Sequence, residues 1–560
     1  MLSVVSGIPT RVTLLTILYI SSQAASAAER SQYQIEAIEY SKQTITIPSG
    51  GVGVPESLQY TADLNQDGYT DIFMSGYTPV STPRRGANEG LILLNNGDNT
   101  FTIAGGDRPK SEWAREVLVA DFNGDNIPDV FVADHGWDTD PFPGFKNQLM
   151  LGTGDGFTDV TDRLPDIDDF SHNAAVGDID KDGDVDIFVA NTDIMPASEI
   201  SYLLINDGSA NFELNRTRLP TRMSAPNGSS VTLAADLADL DGDGAPELIL
   251  GQEFDFGGQP YLSEVYWNDG AGNFSDAVKT ELPEMANFKP ADGSQIIDIQ
   301  SYDIDGDQDK DLLLTANNND PGFRGIGLQL FINEGGRQFV DRSLACLSGE
   351  IQLDSAERSK VFFFKFGDIN FDGQDDIILE SAYDNTDKSL IAFENTGGLK
   401  YRGITHHSLS SDQAVRDRFY GNIVLGNGVF GIAEIFPFED NGQQAVGVNY
   451  MPITATSLSP IVNQFDSCTN KLYTSIDAST SGNFKLDFTI MQTSPAVIIQ
   501  ANAAAASPLT SLPDGSGAFD PSTGILTIPE LVIDDQVAYT NVKFSLIDST
   551  NLLFQLTGSD

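Results

Sequence analysis

A nine-residue acidic segment recurs six times in this chain at a nearly constant interval, and that recurrence restricts the fold more than any other feature. The copies read DLNQDGYTD (63–71), DFNGDNIPD (121–129), DIDKDGDVD (178–186), DLDGDGAPE (239–247), DIDGDQDKD (303–311) and DINFDGQDD (368–376). Their first aspartates stand at 63, 121, 178, 239, 303 and 368, so successive copies begin 57 to 65 residues apart. A fixed long period means that one supersecondary unit is repeated and that neighbouring units bury each other's apolar faces.

The flanks repeat as well. An apolar run follows each copy: IFMSG (72–76), VFVAD (130–134), IFVAN (187–191), LILGQ (248–252), LLLTAN (312–317) and IILES (377–381). A third run then ends in a turn such as NNGD, NDGS or NEGG, where Gly, Asn or Asp tolerates the positive φ of a hairpin. Each unit therefore reads as about four short strands with an acidic loop between the first two. Four strands in roughly sixty residues is the size of a β-propeller blade.

Within each copy, oxygen-bearing side chains occupy positions 1, 3, 5 and 9, usually with Gly at position 6 for a positive φ. Such a loop suits a hard cation, and calcium fits its carboxylate and carbonyl oxygens best. The chain here resembles the FG-GAP/VCBS repeat proteins, related to the propeller of integrin α chains, over roughly residues 50–410. The resemblance implies an all-β fold with a seven-bladed propeller and up to six structural Ca2+ ions.

The expected ligands, with position 7 offering its backbone carbonyl, are named loop by loop. In the first they are Asp63, Asn65, Asp67, Tyr69 and Asp71; in the second Asp121, Asn123, Asp125, Ile127 and Asp129. The third offers Asp178, Asp180, Asp182, Asp184 and Asp186; the fourth Asp239, Asp241, Asp243, Ala245 and Glu247. The fifth offers Asp303, Asp305, Asp307, Asp309 and Asp311; the sixth Asp368, Asn370, Asp372, Gln374 and Asp376. Loop 5 fits least well, because Gln308 stands where glycine is expected, and Asn126 makes a milder departure in loop 2.

Residues 34–60 before the first loop and 418–452 after the last unit make up one further blade. Pairing the first strand into the last blade would close the ring and leave no exposed edge. The domain reading is a signal peptide at 1–27, the propeller at 28–452, a linker at 453–482 and a β-sandwich-like module at 483–560. The signal peptide rests on Arg11, the apolar run VTLLTILYI (12–20) and the ASA site at 25–27. It implies export, to the cell surface, the medium or a periplasm, and the apolar run is too short for a permanent membrane span. Cys346 and Cys468 could form one bridge or stay as separate thiols.

The formal net charge of −50 makes nucleic acid and anionic membranes poor partners, since six divalent ions would cancel only twelve of those charges. No nucleophile elbow, zinc-protease helix or phosphate loop is present, so no catalytic residue is assigned. The segment DHGWDTDPFPGFKNQ (134–148) concentrates aromatic and acidic groups on one connection. Asp134, His135 and Trp137, with His172 from the next unit, form the candidate ligand site, where aromatic faces could stack a sugar ring. The functional expectation is an exported binding or adhesion propeller for a glycan or protein ligand. The alternatives are an envelope or matrix component without a discrete ligand and a polysaccharide lyase or hydrolase.

Overall fold

The computed structural model describes residues 43–48, 59–76, 87–137, 142–192, 200–224, 233–251, 253–254, 260–284, 294–305, 307–318, 324–343, 363–367, 375–380, 390–395 and 401–405. It also describes 419–426, 429–440, 443–452, 464–466, 471–477, 483–492, 498–501, 507–509, 516–520, 523–533, 536–548 and 553–558. The signal-peptide segment, Cys346, Cys468, Asp138, His406, His407, and Asp368, Asn370, Asp372 and Gln374 of loop 6 lie outside these residues.

Among the described residues up to Pro452, seven sheets of four or five mainly antiparallel strands form the blades of a propeller, beside two short two-stranded sheets. Blade 1 comprises Gln59–Ala62, Asp71–Met74, Leu91–Asn95 and Phe101–Ile103. Blade 2 comprises Ala114–Ala120, Asp129–Asp134, Gln148–Gly152 and Gly156–Asp159, with Gly105–Gly106 added in parallel at its outer edge. Blade 3 is Ser171–Gly177, Asp186–Asn191, Tyr202–Asn206 and Phe212–Asn215; blade 4 is Ala235–Ala238, Glu247–Leu250, Glu264–Asn268 and Phe274–Glu281. Blade 5 is Ser294–Tyr302, Asp311–Asn318, Arg324–Asn333 and Phe339–Asp341; blade 6 is Phe363–Gly367, Asp376–Glu380, Leu390–Asn395 and Tyr401–Thr405.

Blade 7 takes three strands from the chain after the last repeat, Phe419–Gly426, Val429–Asp440 and Gln443–Pro452, and its fourth from Gln43–Pro48. That N-terminal strand pairs antiparallel with the third, from Gln43 opposite Tyr450 to Pro48 opposite Ala445. The ring is thus closed by hydrogen bonds between its two ends, as the edge argument required.

Apolar side chains explain both the strands and the ring. In a strand, alternate residues face opposite sides. Phe73 of blade 1 points into a core shared with Val117, Val130 and Met150 of blade 2. Its neighbours Ile72 and Met74 point the other way, into a core shared with Ile435, Val446 and Val448 of blade 7. A sheet buried on both faces needs a continuous apolar run rather than an alternating one, which is why the second strands read as they do. Equivalent shared cores join blades 2 and 3, 3 and 4, 4 and 5, and 5 and 6.

The later strands pair among themselves in a nine-stranded sheet. Two of its strands, Gln464–Asp466 and Lys471–Asp477, fall inside 453–482, the stretch expected to be a linker. Its Ser, Thr and Asn content suggested loop, yet LYTSI supplies the β-branched and aromatic residues a strand accepts. The pairings also run in a circuit instead of forming two separate sheets. Lys471–Asp477 pairs with Asn483–Gln492 on one side and Gly517–Asp520 on the other, and the remaining strands connect those two. Phe488, Leu526, Val542 and Phe554 fill its interior.

Candidate functional site

Each described acidic loop connects the inner strand of its blade to the second strand, so these loops emerge at one end of the blades. The turn between third and outer strands lies at that same end. The connections from second to third strand, and from one blade to the next, emerge at the other end. The loops and the 134–148 connection are therefore on opposite faces.

Four loops (1 to 4) are described in full and share one hydrogen-bond scheme. The position-1 carboxylate accepts the N–H groups of positions 5 and 6, as Asp63 does from Asp67 and Gly68 at 3.1 and 2.8 Å. Asp121, Asp178 and Asp239 repeat this. The position-5 carboxylate accepts the N–H of position 7, as from Ala245 to Asp243 at 2.8 Å. These bonds aim the odd-numbered oxygens at one centre. In three loops the acidic oxygens lie within 4.8 Å of one another: Asp178, Asp180 and Asp186; Asp239, Asp241 and Glu247; Asp303, Asp305 and Asp311. Such oxygens could hold a metal ion.

Backbone conformation follows the glycine argument and extends it. Position 6 has positive φ in loops 1 to 5, including Asn126 at 65° and Gln308 at 81°. Gln308, expected to fit worst, thus adopts the required conformation. Position 4 also has positive φ in loops 1 to 4, at Gln66, Gly124, Lys181 and Gly242. The sequence reading missed this second reversal, although Gly124, Gly242 and Gly306 signalled it.

The position-9 acid has a second task. Asp71, Asp129, Asp186, Glu247, Asp311 and Asp376 are all 0% exposed. Asp186 accepts N–H bonds from Ile179 in its own loop (3.1 Å) and from Asn206 on the third strand (2.8 Å). Burial raises five of them: Asp129 to about 6, Asp71, Asp186 and Glu247 to about 7, and Asp311 to about 8. A cation beside them would restore the charged form. A direct sign of fit is Asp180: Arg218 holds its Oδ2 at 2.9 Å, while Oδ1 is buried and meets no hydrogen-bond partner. A hard cation at the loop centre would satisfy that oxygen.

The turn asparagines, read as hairpin residues, also join the blades. Asn268 Nδ2 donates to Pro246 O in its own loop at 3.0 Å and to Ile179 O in the preceding blade's loop at 2.8 Å. Asn206 reaches Phe122 O, and Asn333 reaches Leu240 O, each at 2.8 Å. The signal was an Asn ending the third strand in blades 1, 3, 4, 5 and 6, where blade 2 has Gly152.

On the opposite face, His135 and His172 do meet, with ring centroids 5.2 Å apart. His135 is buried, stacked on Phe170 at 4.5 Å, and its Nδ1 donates to Gly136 O at 2.7 Å. Burial first, and Arg115 second, push both imidazoles well below their usual range. Asp134 is buried too, and its carboxylate accepts N–H bonds from Glu112, Trp113 and Gly136. Asp134 and His135, expected at a ligand surface, are therefore interior groups that shape the loop. Gly144 at φ 71° lets that loop run against blade 3, because a Cβ there would lie 2.5 Å from Asp169 O. Trp137 and His172 are half-buried, and Phe142 packs edge-to-face on Phe170 at 5.7 Å.

A family model described as an FG-GAP-like repeat matches residues 63–132, 121–189 and 239–314. No curated protein matches the chain in sequence. Among solved structures, the sialidase of Trypanosoma rangeli in complex with the inhibitor DANA aligns at 10% identity, covering 84% of this chain and 74% of that one, with a TM-score of 0.33. The same sialidase in complex with sialic acid aligns at 11% identity over 93% of this chain and 92% of that one, with a TM-score of 0.34. Likeness at that level carries no inference about chemistry.

Proposed function

We propose that this FG-GAP-repeat β-propeller is an exported binding module, with calcium ions bracing one face and a glycan or protein ligand taken by the other. The observation that carries the reading is the division between the two ends of the blades. One end is committed to acidic loops, whose oxygens converge in blades 3, 4 and 5. The other carries a long connection braced across two blades, with Trp137, Phe142 and His172 incompletely buried. Calcium is the favoured cation because the donors are all oxygens, several per loop. Its role is structural, since the loops close on themselves and a cation would offset the repulsion among the like charges within each. Export follows from the apolar N-terminal run and its ASA site. Among the described residues no helix is long and apolar enough to cross a membrane.

The test is retention of residues 28–560 on a panel of immobilised polysaccharides, in calcium and in EGTA, beside Trp137→Ala. Retention on a few related glycans that Trp137→Ala abolishes, without loss of folding, supports a glycan-binding face. Retention that Trp137→Ala leaves intact moves the ligand site elsewhere, and absence of retention on every glycan removes the glycan ligand.

A further inference from the structure

Position 3 divides the four fully described loops into two kinds. Loops 1 and 2 have asparagine there, and its amide donates to the position-5 carboxylate: Asn65 to Asp67 at 3.1 Å and Asn123 to Asp125 at 3.0 Å. Loops 3 and 4 have aspartate, which is charged and has no proton to donate. In those loops cations arrive from outside. Arg218, just beyond the outer strand of blade 3, reaches Asp180 at 2.9 Å. Arg337, in the third-to-outer turn of blade 5, reaches Asp241 through Nε at 3.2 Å and Nη2 at 2.9 Å. Lys181, at position 4 of loop 3, reaches across to Asp243 of loop 4, to its carbonyl at 2.7 Å and its Oδ1 at 3.1 Å.

We infer that Arg218, Arg337 and Lys181 are resident counter-ions that hold loops 3 and 4 in shape before a metal ion arrives, replacing the internal amide of loops 1 and 2. Loop 4 shows this most fully, because two of its candidate ligands, Asp241 and Asp243, each have a cation from a neighbouring blade. The arginine leaves room for a metal: at Asp180 it takes Oδ2 and leaves Oδ1 without a partner. The two kinds of loop should therefore differ in how far they depend on metal. Loops 3 and 4 have their cations from the fold itself, and two of those cations, Lys181 and Arg337, also link adjacent blades. The inference builds on the metal reading above, but its first consequence concerns the ion-free protein.

The experiment is hydrogen–deuterium exchange of the whole protein in EGTA, following the amides of 239–247. Arg337→Met is expected to speed exchange there about tenfold or more, with 63–71 and 121–129 unchanged as internal controls of folding. Adding Asp241→Asn to Arg337→Met rebuilds the arrangement of loops 1 and 2 and is expected to return exchange in loop 4 to near the wild-type rate. Arg337 also lies over the Trp267 ring at 4.4 Å, so the double variant separates charge pairing from stacking. If Arg337→Met leaves loop 4 exchange unaltered, or the double variant exchanges as fast as the single, the counter-ion role is wrong. Adding calcium to the wild type judges the metal reading separately. If no loop then gains protection, that reading falls, and the EGTA comparison still decides the counter-ions.

Discussion

Blades 2 and 4 are built around the same nine-residue loop, each with proline at its eighth position, yet they close onto the preceding blade by different means. In blade 4, Asn268 donates to Pro246 O and reaches back to Ile179 O of blade 3. In blade 2 the equivalent residue is Gly152, and a Cβ there would stand 2.3 Å from Pro128 O. The backbone has moved into the space the asparagine would use. Blade 2 instead takes a fifth strand, Gly105–Gly106, from the connection that leads out of blade 1, and it is tied separately to the following blade at Phe145 and Asp169. A repeat protein can thus vary the joint between units while conserving the loop, because the joint uses backbone carbonyls at positions 2 and 8 whereas the candidate cation donors stand at the odd positions.

The largest effect expected on this comparison is from Asn268→Ala. It leaves two carbonyls without their donor, Ile179 O and Pro246 O, and should cost about 2–4 kcal/mol in chemical denaturation. A cost under about 0.5 kcal/mol would mean that the shared apolar cores alone hold blade 4 to blade 3.

Gly152→Ala should destabilise by about 1–3 kcal/mol through overpacking against Pro128. A neutral or stabilising outcome would show that blade 2 has slack where the structure shows contact.

The metal-free protein should also lose stability as pH rises, with a different window in each blade. Asp129 and Glu247 are raised on folding, to about 6 and about 7 from ordinary values of 3.8 and 4.5. The folded state then binds more protons, so their contribution is fully present below the unfolded pKa and is lost as pH climbs through the folded one. In EGTA, stability should fall from about pH 4 to 6 for Asp129 and to about 7 for Glu247. The size is about 1–2 kcal/mol per group after solvent screening. Denaturation midpoints across pH 4 to 8, with Asp129→Asn and Glu247→Gln, measure it. Added calcium should flatten the slope, and stability that rises with pH in EGTA would contradict the burial argument.

The smallest effect on stability, within about 0.5 kcal/mol, is expected for Trp137→Ala on the connection of blade 2. A loss of several kcal/mol there would identify Trp137 as a packing residue.

Much of this was legible in order of chain. The six loops, the continuous apolar runs and the hairpin turns are local signals, and they led to four-stranded units and a ring closed by the first strand. Candidate metal ligands could be named because position within a tight loop dictates which way an oxygen faces. Other features escaped for identifiable reasons. Asn206, Asn268 and Asn333 look like ordinary turn residues, since the carbonyl each one reaches is 84 to 93 residues earlier in the chain. Asp134 and His135 look like surface chemistry, because nothing in DHGWD reveals that Trp113 and Phe170 close over them. The strand Lys471–Asp477 hid in a polar stretch although it forms a hairpin with the next strand, Asn483–Gln492, because its other partner, Gly517–Asp520, is far along the chain.

The sequence by itself determined the unit: its period, its strands, its acidic loop and the need for a neighbour to cover each face. These follow from backbone conformation and from side-chain alternation, which act over a few residues. Only the tertiary structure decided how the units meet. It made Arg337 a partner of Asp241 across 96 residues, placed His135 beside His172, and set Gly152 against Pro128. Contacts of that kind depend on the distance between blades, which is set by the packing of both their faces at once.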